Sequence, residues 1–98
     1  MKLILNHLPG DLTVNDNTEI FGSVAGTVTV TAGGILHLFG SVGGDLVVAG
    51  GSAFVYGTVD GDAINWGGAL EISGNVAGSL IKENGETTVF SCAIIGRE

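Results

Sequence analysis

Residues 40–61 read GSVGGDLVVAGGSAFVYGTVDG, and this stretch contains one complete repeat of the chain and the start of the next. Its opening motif, Gly-x-Val-x-Gly, recurs with first glycines that are 18, 17 and 17 residues apart. The complete copies are residues 22–26, 40–44, 57–61 and 74–78. Weaker copies occupy residues 6–10 and 92–96. Self-similarity at a short, fixed period is typical of a solenoid, in which each repeat is one coil packed on its neighbours.

Each coil is predicted to contain short strands separated by glycines. In the quoted stretch, Leu46 with Val48 and Ala53 with Val55 can face inward, and the pair Gly50-Gly51 separates the two segments. Alternation over a few residues indicates a half-buried strand, and no window of the chain has helical periodicity. Because glycine tolerates positive φ, we expect the glycines to form the corners in that conformation.

Alignment of the repeats places apolar residues above one another in columns. The predicted inward columns are Leu8, Val24, Val42, Val59, Val76 and Ile94; Leu12, Val28, Leu46, Ala63 and Leu80; Leu36, Ala53 and Leu70; and Leu38, Val55, Ile72 and Phe90. The corner pairs align as residues 16–17, 33–34, 50–51, 67–68 and 84–85. Asn65 and Lys82 interrupt a further apolar column, and we expect a bulge or a register change there that turns Ile64 and Ile81 inward instead.

These columns agree on one architecture, an all-β fold in a single domain over residues 1–98, with its repeat core over about 6–96. We predict a right-handed parallel β-helix, or β-solenoid, of about six coils with 17–18 residues in each. Since stacked coils bury their apolar columns against one another, such a chain can form a core despite its small size.

The composition argues against several classes of function. Hydrophobic residues are 45% of the chain and charged residues 13%, which is too apolar for a disordered protein. The formal net charge is -7, so the phosphates of nucleic acid and of anionic lipids would be repelled. A basic protein partner would instead be attracted and steered toward the surface.

The single cysteine, Cys92, cannot form an internal disulfide, which fits a reducing compartment. We expect Cys92 to be buried as a small apolar side chain. The apolar run at residues 3–5 is too short for the core of a signal peptide, and no stretch approaches the length of a membrane span. The expected location is therefore cytoplasmic.

The Gly-x-Val-x-Gly repeat at 17–18 residues, with its apolar columns, resembles that of the bactofilins, which are bacterial polymer-forming cytoskeletal proteins. The resemblance extends over about residues 6–96. It implies a compact right-handed β-helix of triangular cross-section that associates end to end into filaments without a bound nucleotide. The matching positions are the glycines and valines of the motif, which are structural residues.

Acidic side chains recur after the second glycine of the motif. Asp45 and Asp62 follow it in adjacent coils, which places them about 5 Å apart on the outer surface, and Asp11 has the equivalent position in the first coil. Asp60 lies two residues before Asp62. The group is either a docking stripe for a basic partner, or a cation site, or a solvated face that keeps the rod soluble.

Aromatic residues also recur. Phe21, Phe39 and Tyr56 each precede a first glycine, which predicts an outward ladder of rings, with Phe54 close by and Trp66 on a later coil. Such a ladder either stabilises the sheet by cross-strand stacking or, as an exposed apolar patch, binds a partner. The candidate partner-binding residues are Asp45, Asp60, Asp62, Phe39, Phe54, Tyr56 and Trp66.

The ends of a solenoid expose unpaired strand edges and an open core. At the C-terminal end, Phe90, Ile94 and Ile95 are the candidate residues for self-association. The repeat places no nucleophile, no acid–base pair and no cluster of zinc ligands, so we expect no enzyme, no metal and no cofactor.

Two functions of different classes follow. The preferred one is a structural protein, similar to bactofilins, that associates with itself end to end into oligomers or filaments. The alternative is a small, acidic, immunity-type binding protein that neutralises a basic toxin, and the net charge of -7 motivates it.

Overall fold

The computed structural model of the protein describes residues 2–90 and 94–97. This part of the chain is a three-sided β-solenoid of parallel strands without a helix, with principal extents of 29 × 24 × 20 Å. The predicted β-solenoid fold is confirmed, with about five complete turns where about six were expected. The count is lower because, within the described residues, the last coil adds a strand to two faces and none to the third.

The first face is sheet A, which has six strands, one from each successive pass of the chain. Its strands pair so that each inward residue lies directly above the inward residue of the coil below. They are β1 (Lys2–Ile4), β4 (Asn17–Ile20), β7 (Ile35–Leu38), β10 (Ser52–Val55), β13 (Ala69–Ile72) and β15 (Glu86–Val89).

The other two faces are sheets B and C, which β14 (Asn75–Lys82) joins by running continuously from one into the other. The remaining strands of sheet B are β2 (His7–Leu8), β5 (Ser23–Val24), β8 (Ser41–Val42), β11 (Thr58–Val59) and β16 (Ile94–Arg97). Those of sheet C are β3 (Leu12–Val14), β6 (Val28–Val30), β9 (Leu46–Val48) and β12 (Ala63–Asn65).

The core lies between the three sheets and consists of the inward columns. The registers of the strands confirm the predicted columns through the four complete repeats. Each fully buried valine or leucine contributes about 1.5–3 kcal/mol relative to an exposed one. The column residues without exposed surface include Val24, Val42, Val59, Val76, Val28, Leu46, Ala63, Leu38, Val55 and Ile72.

The last coil departs from the predicted register. Ile95, and not Ile94, pairs with Val76, and Val89, and not Phe90, ends the column of sheet A. The predicted column positions of Ile94 and Phe90 are therefore wrong. For Ile95 the cause is the corner between β15 and β16, which is two residues longer than the corresponding corner of the preceding coil. Val89 keeps the 17-residue spacing from Ile72, which Phe90 does not.

The first corner also differs from its predicted alignment. Asn17 pairs with Ile35, so residues 33–34 lie above residues 15–16 and not above 16–17. The second coil has two more residues at this corner than the first, which moves the register of sheet A relative to sheet C.

Most of the repeated glycines are needed because neighbouring coils approach closely, and not because the backbone adopts positive φ there. Among the described residues, positive φ occurs at Gly10, Gly33 and Gly85. A Cβ on Gly57 would collide with the carbonyl oxygen of Gly40 in the coil below, and the other first glycines of the motif meet the same obstacle. The expectation that positive φ explains the corner glycines is therefore wrong for the motif, whose glycines instead admit the neighbouring coil.

Asn65 lies within the core and leaves the ladder undisturbed. It pairs in register with Val48, and its side chain is fully buried. The predicted bulge is absent from this pairing, and Ile64 and its partner Ile81 are both half-buried on the outer side of sheet C. The prediction that Ile64 and Ile81 turn inward is therefore wrong.

Hydrogen bonds explain how an amide is tolerated in an apolar column. Nδ2 of Asn65 donates to the carbonyl of Glu86 at 2.7 Å and to the hydroxyl of Thr87 at 2.9 Å. Oδ1 accepts from the amides of Gly67 at 3.2 Å and Gly68 at 3.0 Å. Because a buried polar group is costly only when it is unpaired, Asn65 fixes the corner between sheets C and A and ties it to the coil above.

Replacing Asn65 by valine would restore an apolar column and remove these bonds. We expect Asn65→Val to lower the free energy of unfolding by about 1–3 kcal/mol, because the amides of Gly67 and Gly68 lose their acceptor. Urea denaturation followed by circular dichroism measures it, with the exposed Asn75→Val as the matched control. A variant as stable as the original protein would show that the network does not stabilise the fold.

Candidate functional site

The recurring aspartates bond to the main chain of the coil above them. Oδ1 of Asp45 accepts from the amide of Asp62 at 2.9 Å, and Oδ1 of Asp62 accepts from the amide of Ser79 at 2.8 Å. Asp11 accepts from the amide of Thr27 at 2.9 Å in the same way. The predicted adjacency of Asp45 and Asp62 is confirmed, and their carboxylates form part of the hydrogen bonding between coils.

The backbone geometry of this corner explains the choice of aspartate. The carbonyl of Gly44 already accepts from the amide of Gly61 at 3.0 Å, and the amide of Leu46 donates upward to the carbonyl of Asp62 at 2.8 Å. The Asp45 carboxylate then supplies an acceptor for the amide of Asp62. A Cβ on Gly61 would collide with that carboxylate, so aspartate in one coil and glycine in the next belong together.

This bonding favours a structural role for Asp45 and Asp62. Asp60 differs, because it is exposed and lies at the end of β11, away from the column of the other two. In residues 2–90 and 94–97, no three His, Cys, Asp or Glu side chains are grouped so that they could bind a metal ion.

The aromatic ladder is present. The rings of Phe21 and Phe39 stack with centroids 4.9 Å apart and planes within 6°, and Phe39 and Tyr56 stack at 5.2 Å and 11°. Beside them on sheet A, His37 and Phe54 stack at 5.0 Å and 12°. Parallel rings at the spacing of the coils contact one another through their faces, so their edges point to solvent.

The ladder is longer than the sequence predicted. Leu5 follows the inward Ile4 as Phe21 follows Ile20, and it is 63% exposed. Phe90 follows the inward Val89, and its amide bonds one coil below as the amide of Tyr56 does. Phe90, which the sequence had placed inward, is thus an outward member of the ladder. The signal that could have placed Phe90 correctly is the constant spacing of 17 residues from Tyr56 through Ser73 to Phe90.

The predicted partner-binding residues do not form one surface. Phe39 and Tyr56 lie at the corner between sheets A and B, with Phe54 beside them on sheet A. The aspartates lie at or near the corner between sheets B and C, and the 54% exposed Trp66 lies at the corner between sheets C and A. The structure brings together the aromatic residues of the first corner and separates the other two groups from them.

Other features of the described chain are few. Its surface has no pocket, and no helix in it has the length and hydropathy to cross a membrane. Cys92 lies outside the described residues, so its predicted burial stays a prediction.

Comparison of the chain with protein-family models, with curated proteins and with solved structures found no match. The resemblance to bactofilins therefore stays a prediction as well.

The aspartate column can be tested by stability. We expect Asp45→Ala to lower the free energy of unfolding by about 1–2 kcal/mol, because the amide of Asp62 loses its acceptor, and Asp45→Asn to have a smaller effect because an oxygen remains. The matched control, Asp60→Ala, should change it by less than about 0.5 kcal/mol. Chemical denaturation measures all three, and equal losses for the alanine variants at 45 and 60 would contradict the structural role.

Proposed function

We propose that the protein is a non-catalytic structural β-solenoid, similar to bactofilins, whose copies associate end to end. The observation that best supports the proposal is that the last described coil has an unpaired strand edge and exposed apolar side chains. No described strand pairs with the outer edge of β15, and Val89 and Phe90 on or beside it are 39% and 42% exposed. The corresponding inward residues of the coils below, Val55 and Ile72, are fully buried.

A further coil above β15 would bury the inward end of this column. The first strand, β1, is available for that role, since it pairs only with β4 within the described chain. Continuation of the columns places Ile4 of a second copy above Val89. A head-to-tail contact of this kind is heterologous, and repetition of it produces a filament where the rotation does not close a ring.

Charge and polarity indicate which faces would take part. At the C-terminal end of sheet A, the two inward columns end in the uncharged Thr87 and Val89. In sheet C, by contrast, the inward column that contains Val48 ends in Asn65 and the exposed Lys82. A charged residue in an inward column opposes pairing at that edge, so we assign the contact to sheets A and B and leave sheet C open to water.

The end contact can be tested at Val89. In the isolated rod this residue is partly exposed, so Val89→Asp should leave the fold intact, whereas in a stack it would bury an unpaired charge between coils. We expect the original protein to gain mass with concentration above its monomer mass of 9.8 kDa, and Val89→Asp to remain a monomer. Sedimentation velocity over a range of concentrations measures the effect.

Thr88→Asp is the matched control, because Thr88 is exposed on the outer side of the same strand and should leave association unchanged. An original protein that stays monomeric at all concentrations would contradict the proposal. Assembly of Val89→Asp to the same extent as Thr88→Asp would contradict the assignment of the contact to this end.

A further inference from the structure

The strongest remaining feature is the surface at the corner between sheets A and B, which we call the ladder face. It consists of the ladder column and the outward column of sheet A beside it. The ladder column is Leu5, Phe21, Phe39, Tyr56, Ser73 and Phe90. The neighbouring column is Leu3, Glu19, His37, Phe54, Glu71 and Thr88.

The ladder face is unusually apolar for an exposed surface. Phe21, Phe39 and Tyr56 are 49%, 44% and 49% exposed, and Leu3 and Leu5 continue the apolar area toward the first coil at 52% and 63%. Single exposed apolar side chains are common, but contiguous patches of this kind mark interaction surfaces. The rings are already fixed by stacking on one another, so a partner would meet a surface with little side-chain entropy left to lose.

The charges of the ladder face all have one sign. Its two columns contain Glu19 and Glu71 and no lysine or arginine. These glutamates are half-buried and lie immediately below and above the stacked pair of His37 and Phe54. A partner that covers the rings would also shield the two carboxylates from water, which strengthens their interaction with a cation.

The spacing of the two carboxylates limits the shape of a partner. Glu19 and Glu71 are three strand spacings apart along the stack, which is about 14 Å. An extended chain advances about 3.3 Å per residue, so residues four apart span nearly the same distance. In such a chain, residues i, i+2 and i+4 face the same side, which allows a cation, an apolar side chain and a second cation to face the rod together.

We propose that the ladder face binds an extended, basic segment of a partner protein, with two Lys or Arg residues four apart that flank an apolar residue. The cations pair with Glu19 and Glu71, and the apolar residue covers the ring edges between them. A second copy of this chain is the less favourable occupant, because each ladder face would bring its glutamates against those of the other. This surface differs from the end contact, so either proposal can fail without the other.

The probe is a nine-residue synthetic peptide of serines with lysines at its third and seventh positions and a leucine at its fifth. Nuclear magnetic resonance with nitrogen-15-labelled protein follows its binding. We expect shifts concentrated at Phe21, Phe39, Phe54 and Tyr56. Two reference peptides, one with glutamates for the lysines and one with serine for the leucine, should bind at least about tenfold more weakly.

The decisive variant is the double substitution of Glu19→Gln and Glu71→Gln, which removes both flanking charges from outward positions without disturbing the core. We expect it to weaken binding of the lysine peptide about threefold to tenfold. The matched control is Asp60→Asn with Glu83→Gln, which makes the same change in net charge at exposed positions away from the ladder face and should bind as the original protein does.

Equal weakening by the two double variants would overturn the proposal, because binding would then depend on net charge alone. Failure of the peptide to bind, together with a dimer that Phe39→Ser dissociates while circular dichroism stays unchanged, would assign the ladder face to a second copy. Failure of the peptide to bind a monomer would overturn the proposal outright. Association that Val89→Asp abolishes and Phe39→Ser does not affect would concern the end contact only.

Discussion

The structure depends on the contact between a carbonyl oxygen of one coil and the α-carbon of a glycine in the next. At Gly40, Gly57 and Gly74, the space that a Cβ would need is occupied by the backbone oxygen of the coil below. A side chain at these positions would separate the coils and lengthen the hydrogen bonds between them. The glycine column therefore sets the spacing at which the valine and leucine columns pack.

The same constraint explains the aspartates. Where the second glycine of a coil leaves room, the carboxylate from the coil below reaches a main-chain amide, as Asp45 does beneath Gly61 and Asp62 beneath Gly78. Residues that had suggested a charged binding stripe thus belong to the hydrogen bonding of the stack. The carboxylates that we expect to attract a basic partner are instead Glu19 and Glu71, which lie in the apolar setting of the ladder face.

The sequence predicted the features that repeat and missed those that occur once. The columns through Val42 and Val55 and the stacking of Phe39 on its neighbours follow from period alone. The repeat placed Asn65 in an apolar column, but its hydrogen-bond partners could not be predicted, because they come from a corner and from a strand of the next coil. The position of Ile95 depended on a corner with two additional residues, and no local pattern marks which side chain such an insertion displaces. Phe90, by contrast, keeps the 17-residue period of the ladder and could have been placed outward from the sequence.

The two proposed surfaces are physically distinct. The end contact would use unpaired strand edges, whose direction and register are those of the coils themselves, and it would extend the same core from copy to copy. The ladder face lies along the side of the rod and would remain accessible in a filament. A structural polymer that displays a row of identical binding sites is therefore compatible with both.

Scalar couplings across hydrogen bonds, detected by nuclear magnetic resonance, show directly which strands pair and in which direction. For a parallel solenoid we expect couplings from the amide of Thr58 to the carbonyl of Gly40, from Asp60 to Val42 and from Gly61 to Gly44, each one coil apart. Couplings that instead join residues on either side of a tight turn, in the mirrored order of antiparallel hairpins, would contradict it.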